Sequence, residues 1–240
     1  MRIALFGNGA MGQLVATQAQ AAGHEIGEVF TSSAAAVSLD DLCSRLRGHD
    51  VAIDFSTAAA VEKNVTACAH AAIPLVEGTT GWQSQQAAVC RIVSDHKGAL
   101  IYGANFSVGV NLFYQVVAQA AQLFSPVTDY APFIEEAHHA RKRDAPSGTA
   151  LRLHDLVKER MKRDVPVAST RAGSIPGTHR VGFDSPADQI MLIHTARSRA
   201  GFASGALLAA DWIIGRTGVF EFSEVILQMM KVTNDEGMKR

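Results

Sequence analysis

A glycine-rich turn set directly behind an opening strand constrains this chain more than any other feature. Ile3 to Phe6 form an apolar, β-rich run, and Gly7-Asn8-Gly9-Ala10-Met11-Gly12 follows it and opens an alanine-rich helical stretch. This is G-x-G-x-x-G in the context it requires, strand before and helix after. Gly7 permits the tight turn, Gly9 lets backbone approach a pyrophosphate, and Gly12 lets helix and strand pack closely. The helix start then offers unpaired N–H groups to phosphate oxygens. A glycine turn that merely satisfies packing is the alternative, and the turns further along the chain weigh against it.

From Arg2 to about Gly103, short apolar runs alternate with longer helical ones, the pattern of a parallel sheet with crossover helices. Strands are expected at Ile3 to Phe6, Ile26 to Phe30, Val51 to Phe55, Pro74 to Glu77 and Leu100 to Tyr102. Each ends in small or polar residues, such as Ser56-Thr57, Gly78-Thr79-Thr80-Gly81 and Gly103-Ala104-Asn105. Open parallel sheets bind ligands at these carboxyl ends. The fold class expected is therefore α/β: an N-terminal Rossmann-type parallel sheet domain over 1–106, and a second, α+β domain over 107–214 for substrate and oligomerisation. C-terminal helices from about 215 to 240 are expected to pack back on the first domain.

In the second half, a helix is expected near Val108 to Phe124, an extended run at Tyr130 to Ala137, and a helix from about Ser147 to Arg163. Arg171 to Arg199 reads as mixed or antiparallel strands with a long loop. From Phe202 to Ile214, and again from Phe220 to Met230, apolar residues recur at helical spacing.

A formal net charge of −1 over 240 residues gives no electrostatic reason to expect nucleic acid. No stretch reads as membrane-spanning, and the first residues enter a strand without a signal-peptide pattern. Cys43, Cys68 and Cys90 are odd in number, widely spaced and lack any Cys-x-x-Cys pair, which points to a reducing, cytoplasmic setting.

The second strand of a dinucleotide domain normally ends in an acid that bonds the adenosine ribose of NAD. Here it reads Glu28-Val29-Phe30-Thr31-Ser32-Ser33, with the acid before the strand end and reading as a surface charge. The hydroxyls of Thr31 and Ser32 suit a ribose or a 2′-phosphate, and no arginine stands beside them. NADPH is expected, alone or alongside NADH.

The chemistry is expected in a run of twelve residues, His138 to Thr149. A histidine supplies a proton near neutral pH, and Lys142 adds a cation with three donors. Ala145-Pro146 enforces a non-helical approach to Ser147-Gly148-Thr149, which opens the next helix and forms a cradle suited to a carboxylate. Taken singly, Ser147 reads as a helix cap, His138 as a strand residue and Lys142 as surface charge; together they read as a site. A His138–His139 metal site is the competing chemistry, and no third ligand at metal spacing supports it.

The whole segment Glu135 to Leu151 closely resembles the signature of the dihydrodipicolinate reductase family. Further matches in order and spacing are the glycine turn with Met11-Gly12, Asp54-Phe55-Ser56, Gly78 to Gly81, Asn105 to Gly109, Arg171-Ala172-Gly173 and Gly177-Thr178-His179. The resemblance implies NAD(P)H-dependent hydride transfer to a cyclic, unsaturated imine dicarboxylate in lysine and diaminopimelate synthesis, by a homotetramer. It implies His138 as proton donor, His139 and Lys142 as a substrate-binding pair with Lys142 also catalytic, and Ser147, Gly148 and Thr149 as the carboxylate cradle. Gly78, Thr79 and Thr80, with Ala104, Asn105 and Phe106, resemble the backbone that holds the nicotinamide half. The chain departs from the family where Ala10 replaces a frequent arginine, and where Thr31-Ser32 replaces an acid and an arginine. Its rivals are another two-domain reductase of a small carboxylate and a non-catalytic dinucleotide sensor.

Overall fold

The computed structural model describes residues 1–31 and 37–237, so Ser32 lies outside the described residues. The chain begins with β1 (Arg2–Phe6), α1 (Ala10–Ala21), β2 (Glu25–Phe30), α2 (Leu39–Leu46), β3 (Val51–Asp54) and α3 (Val61–Ala71). It continues with β4 (Leu75–Glu77), α4 (Gln86–Asp95), β5 (Ala99–Tyr102), α5 (Val108–Phe124), β6 (Ala131–His138) and α6 (Gly148–Met161). The last elements are β7 (Val167–Arg171), β8 (Thr178–Asp184), β9 (Gln189–Thr195), α7 (Ala200–Ile213), β10 (Gly218–Glu221) and α8 (Phe222–Gly237). They form two compact units, Met1–Val108 with Ala200–Arg240, and Gly109–Arg199.

In the first unit β10-β5-β4-β3-β1-β2 form one sheet, parallel throughout. The inner strands of such a sheet are covered on both faces, which is why β1 and β3 read as unbroken apolar runs, whereas the edge strand β2 alternates. Ile3, Ala4, Leu5 and Phe6 are all buried, as are Val51, Ala52 and Ile53, and Phe6 stacks on Phe30 with ring centroids 4.7 Å apart. Strand order reverses beside β1, whose end at Phe6 lies in register with Asp54 of β3. A ligand crevice forms at such a switch point.

The second unit holds the sheet β7-β6-β8-β9, with β6 parallel to β7 and antiparallel to β8. Its core gathers Phe113, Val117, Ile134, Leu153, Val157 and Phe183. Along β6 burial alternates strictly, so Pro132, Ile134, Glu136 and His138 share the inward face. Among the described residues no helix is long and apolar enough to cross a membrane.

Three expectations need correction. Gly218–Glu221 is a strand, paired with β5, where the sequence read helical spacing from Phe220 onward. A four-residue strand running straight into an apolar helix has no period of its own to reveal it. The helix α7 belongs to the first unit, so the second boundary falls at 199/200 instead of near 214. Its buried Ala203, Ala206, Ala209 and Ala210 form a face of small side chains that lies against β3, β4 and β5. Finally, the loop expected within 171–199 is short, the stretch 172–177 between β7 and β8; β8 and β9 pair antiparallel as expected, and Ser185 and Asp188 close the turn between them.

Candidate active site

The glycine turn is fixed by what surrounds it. Gly7 adopts φ +95°, and a Cβ there would lie 2.4 Å from the Phe55 carbonyl oxygen. A Cβ on Gly12 would lie 2.1 Å from the Gly7 carbonyl oxygen, so the predicted close packing is a contact of helix with turn. A Cβ on Gly9 would meet nothing within 4 Å. That space opens into a cavity of about 650 Å³ lined by Gly7, Asn8, Gly9, Thr31, Ser56 and Lys63, among others. Gly9 caps α1, Ala10 and Met11 form its first turn, and no acid stands in that turn to repel an anion. The open space at Gly9 and the cavity lining fit a dinucleotide.

The residues expected at the nicotinamide half lie on the same unit. Thr79, Thr80 and Ala104 line a smaller cavity of about 200 Å³. Gly78 faces the Phe55 ring, Asn105 accepts the Ser107 N–H at 2.9 Å, and Phe106 is buried against Phe222, so only its backbone is on offer.

Two residues to which the sequence reading gave no role hold these turns in place. Asp54 and Glu77, at the ends of β3 and β4, are fully buried. Asp54 accepts from the Ser56 N–H at 2.7 Å, the Asn64 amide at 2.7 Å and the Thr79 hydroxyl at 3.3 Å. Glu77 accepts the Thr79 N–H at 2.7 Å. Burial raises the Asp54 carboxyl, and burial together with the Asp54 charge pushes Glu77 well above the usual carboxylate range. The pair thus anchors one turn of each cavity from beneath.

In the second unit, sheet register assembles the other cluster. Parallel pairing sets His138 opposite Arg171, and antiparallel pairing sets Glu136 opposite His179. Arg171 grips the buried Glu136 carboxylate with both terminal nitrogens, at 2.9 and 2.6 Å. The Ser147 N–H also reaches Glu136 at 3.2 Å, and His138 Nδ1 hydrogen-bonds its other oxygen. Burial alone would raise the Glu136 acid, but the Arg171 bonds and then those of Ser169 and His138 outweigh it and hold the group at about 2. Burial lowers His138 below the ordinary imidazole range against the opposing pull of Glu136. Burial, followed by the His138 charge, brings His179 to about 4.

The six residues expected for substrate lie on the short path from β6 into α6. His138 is buried, with its ring 5.1 Å from that of His179. A Cβ on Gly177, which has φ +130°, would lie 3.1 Å from His138 Nε2. His139 is half-buried, and its Nδ1 is buried with no hydrogen-bond partner among the described residues. Lys142 pairs with Asp144 at 2.8 Å. Ser147 is both a helix cap, accepting from the Ala150 N–H at 3.2 Å, and a partner of His179 Nε2 at 3.0 Å. Gly148 opens α6 in free space, and Thr149 follows it in the first turn.

Glu136, Arg171 and His179 were quoted in the sequence signature without a role. The strand period could have found Glu136, because it shares the parity of His138; Arg171 and His179 come from pairings no local pattern encodes. Glu136, His138 and His179 bring ligand atoms within 4.8 Å of one another, as a metal would need. Both Glu136 oxygens, however, are already committed to Arg171, His138 and the Ser147 N–H.

Residues 1–106 match the family model described as dihydrodipicolinate reductase, N-terminus, and residues 109–226 match dihydrodipicolinate reductase, C-terminus. The chain belongs to the dihydrodipicolinate reductase family. Among curated members, the 4-hydroxy-tetrahydrodipicolinate reductase of Christiangramia forsetii is 38% identical, covering 96% of this chain and 100% of its own. That of Halorhodospira halophila is 36% identical, with 88% and 86% covered. A dipicolinate-bound dihydrodipicolinate reductase from Paenisporosarcina sp. TG-14 shares the fold at TM-score 0.77 and 21% identity, over 92% of this chain and 97% of that one.

Proposed function

We propose that this chain is a 4-hydroxy-tetrahydrodipicolinate reductase. It reduces a cyclic, unsaturated imine dicarboxylate to tetrahydrodipicolinate in lysine and diaminopimelate synthesis. Family membership over nearly the whole chain supports the activity, and the buried His138–Glu136–Arg171 arrangement is the observation that carries the mechanism. The residues of the first-unit cavities, Gly7 to Gly12 with Thr31 on one side and Gly78 to Thr80 with Ala104 to Phe106 on the other, would hold a reduced nicotinamide dinucleotide. When bound, that cofactor supplies a hydride to the ring carbon conjugated to the imine.

The chain's own residues complete the reduction. When its ring is protonated, His138 donates from Nδ1 to Glu136 and carries at Nε2 the proton it delivers to the enamine-like carbon, directly or through water, leaving the neutral ring. Glu136 stays ionised at every physiological pH, because the Arg171 fork holds it so, and it stabilises His138 when that ring is charged. An incoming dianion would favour the protonated ring further. Lys142 exchanges Asp144 for one substrate carboxylate, while the first N–H groups of α6 at Gly148 and Thr149 receive the other. His139, with its unpaired Nδ1, is placed as a further hydrogen-bonding contact.

The test is oxidation of NADPH and NADH with substrate generated in situ from pyruvate and aspartate semialdehyde. Cofactor turnover that depends on both precursors is expected, and none with either cofactor would sink the reading. The assembly is proposed to be a cytoplasmic homotetramer, in keeping with three free cysteines and with Ile190 and Ile193 exposed on the edge strand β9. Light scattering at four times the chain mass is expected, and a monomer would overturn it.

A further inference from the structure

The strand that ordinarily reads the adenosine ribose ends here without a charge. β2 closes at Phe30, and Thr31 follows on the cavity wall. The acid upstream, Glu28, is ion-paired with Arg45, whose guanidinium lies 4.8 Å over the Phe30 ring. A carboxylate at this strand end selects an unphosphorylated ribose, and a cation beside it accommodates a 2′-phosphate. The acid that would exclude the phosphate is missing, and the glycine turn carries no basic residue to attract it.

The cavity nevertheless has a cation, and it comes from a different element. Lys63, in the first turn of α3, is the charged residue among the described ones that line this space. It is half-buried, and its Nζ donates to the Val37 carbonyl at 2.6 Å. That bond draws the long side chain away from its own helix toward the connection that leaves β2. An ammonium has three donors and interacts more strongly with an anion where water is partly excluded. We propose that Lys63 is the specificity residue for the 2′-phosphate, so that the chain binds NADPH in preference to NADH through α3 rather than through the end of β2. The inference rests on the cofactor reading above and adds the choice of cofactor to it.

Calorimetric titration of the whole protein with NADPH, NADH, 2′-AMP and 5′-AMP tests this without any turnover. Tighter binding of NADPH than NADH, and of 2′-AMP than 5′-AMP, is expected. Lys63→Met should weaken both 2′-phosphorylated ligands on the order of tenfold to a hundredfold, the worth of a charge-assisted hydrogen bond. NADH and 5′-AMP should stay within about twofold of their original affinity, which also reports that the variant is folded, and Lys63→Arg should restore the preference. Raising salt should erode the NADPH preference of the original protein and leave the Lys63→Met variant unaffected. Equal affinity of the original protein for NADPH and NADH would overturn the assignment while leaving the cofactor reading intact. So would an equal loss of both in Lys63→Met, or no loss at all. Binding of neither dinucleotide would instead remove the cofactor reading, and this inference with it.

Discussion

Each unit withdraws carboxyl groups from water, and the two treat them in opposite ways. Asp54 and Glu77 meet only neutral donors and each other, so burial prevails and both acids are raised. Glu136 is as thoroughly buried, yet the two-pronged Arg171 contact brings it to about 2. Depth alone therefore does not decide ionisation; the partner does. The first arrangement suits a rigid floor beneath turns that must receive an anionic cofactor. The second keeps a permanent charge against the His138 ring, the proton donor proposed above.

The largest effect should come from the histidine that the Glu136 charge serves. His138→Gln should cut kcat roughly 10²- to 10⁴-fold, the usual worth of a positioned acid. Steady-state cofactor oxidation measures it, and unaltered turnover would separate the Glu136 charge from the chemistry. Next, Arg171→Met strands a buried carboxylate and should cost about 3–5 kcal/mol of stability in urea unfolding. Adding Glu136→Gln should recover much of that loss; an additive double variant would show that the two residues do not act as a pair.

A pH series compares the regions directly. The stabilising contribution of His179 is complete above its ordinary 6.5 and is lost as pH falls toward about 4, a change on the order of 3 kcal/mol. That of Glu136 is complete above 4.5 and is lost as pH falls toward about 2. For Asp54 and Glu77 the sign reverses: their contribution is complete below 3.8 and 4.5 and is lost as pH rises through their raised folded values. Amide protection should thus rise over Val51–Glu77 and fall over Ala131–Asp184 on going from pH 8 to pH 4. Parallel changes in the two segments would break the contrast. The smallest effect is expected for Glu77→Gln, a neutral copy of an acid whose burial favours the neutral form, which should shift thermal stability by less than about 1 kcal/mol. Loss of several times that would mean Glu77 is ionised in the fold.

The same contrast explains what could be read in advance. Gly7, Gly9 and Gly12 announced themselves because their demands are local, a turn and a close approach, and the inner strands β1, β3, β4 and β5 announced themselves as apolar runs. The path from His138 to Thr149 could be proposed from the sequence because its candidate groups are neighbours there. Arg171 and His179 reach that cluster through sheet register, and Lys63 reaches the cavity through a crossover helix, so their positions follow from tertiary pairing alone. β10 was hidden for a related reason: its partner β5 is more than a hundred residues away in the chain.

Gly177 carries a consequence for how this protein can vary. Glu136 occupies one nitrogen of His138, and the other faces a backbone with no side chain. A single added methyl group would both oppose the local φ of +130° and press on His138 Nε2. The position works as a steric veto: under the role proposed for His138, one carbon atom at residue 177 is enough to crowd the nitrogen from which the proton would leave.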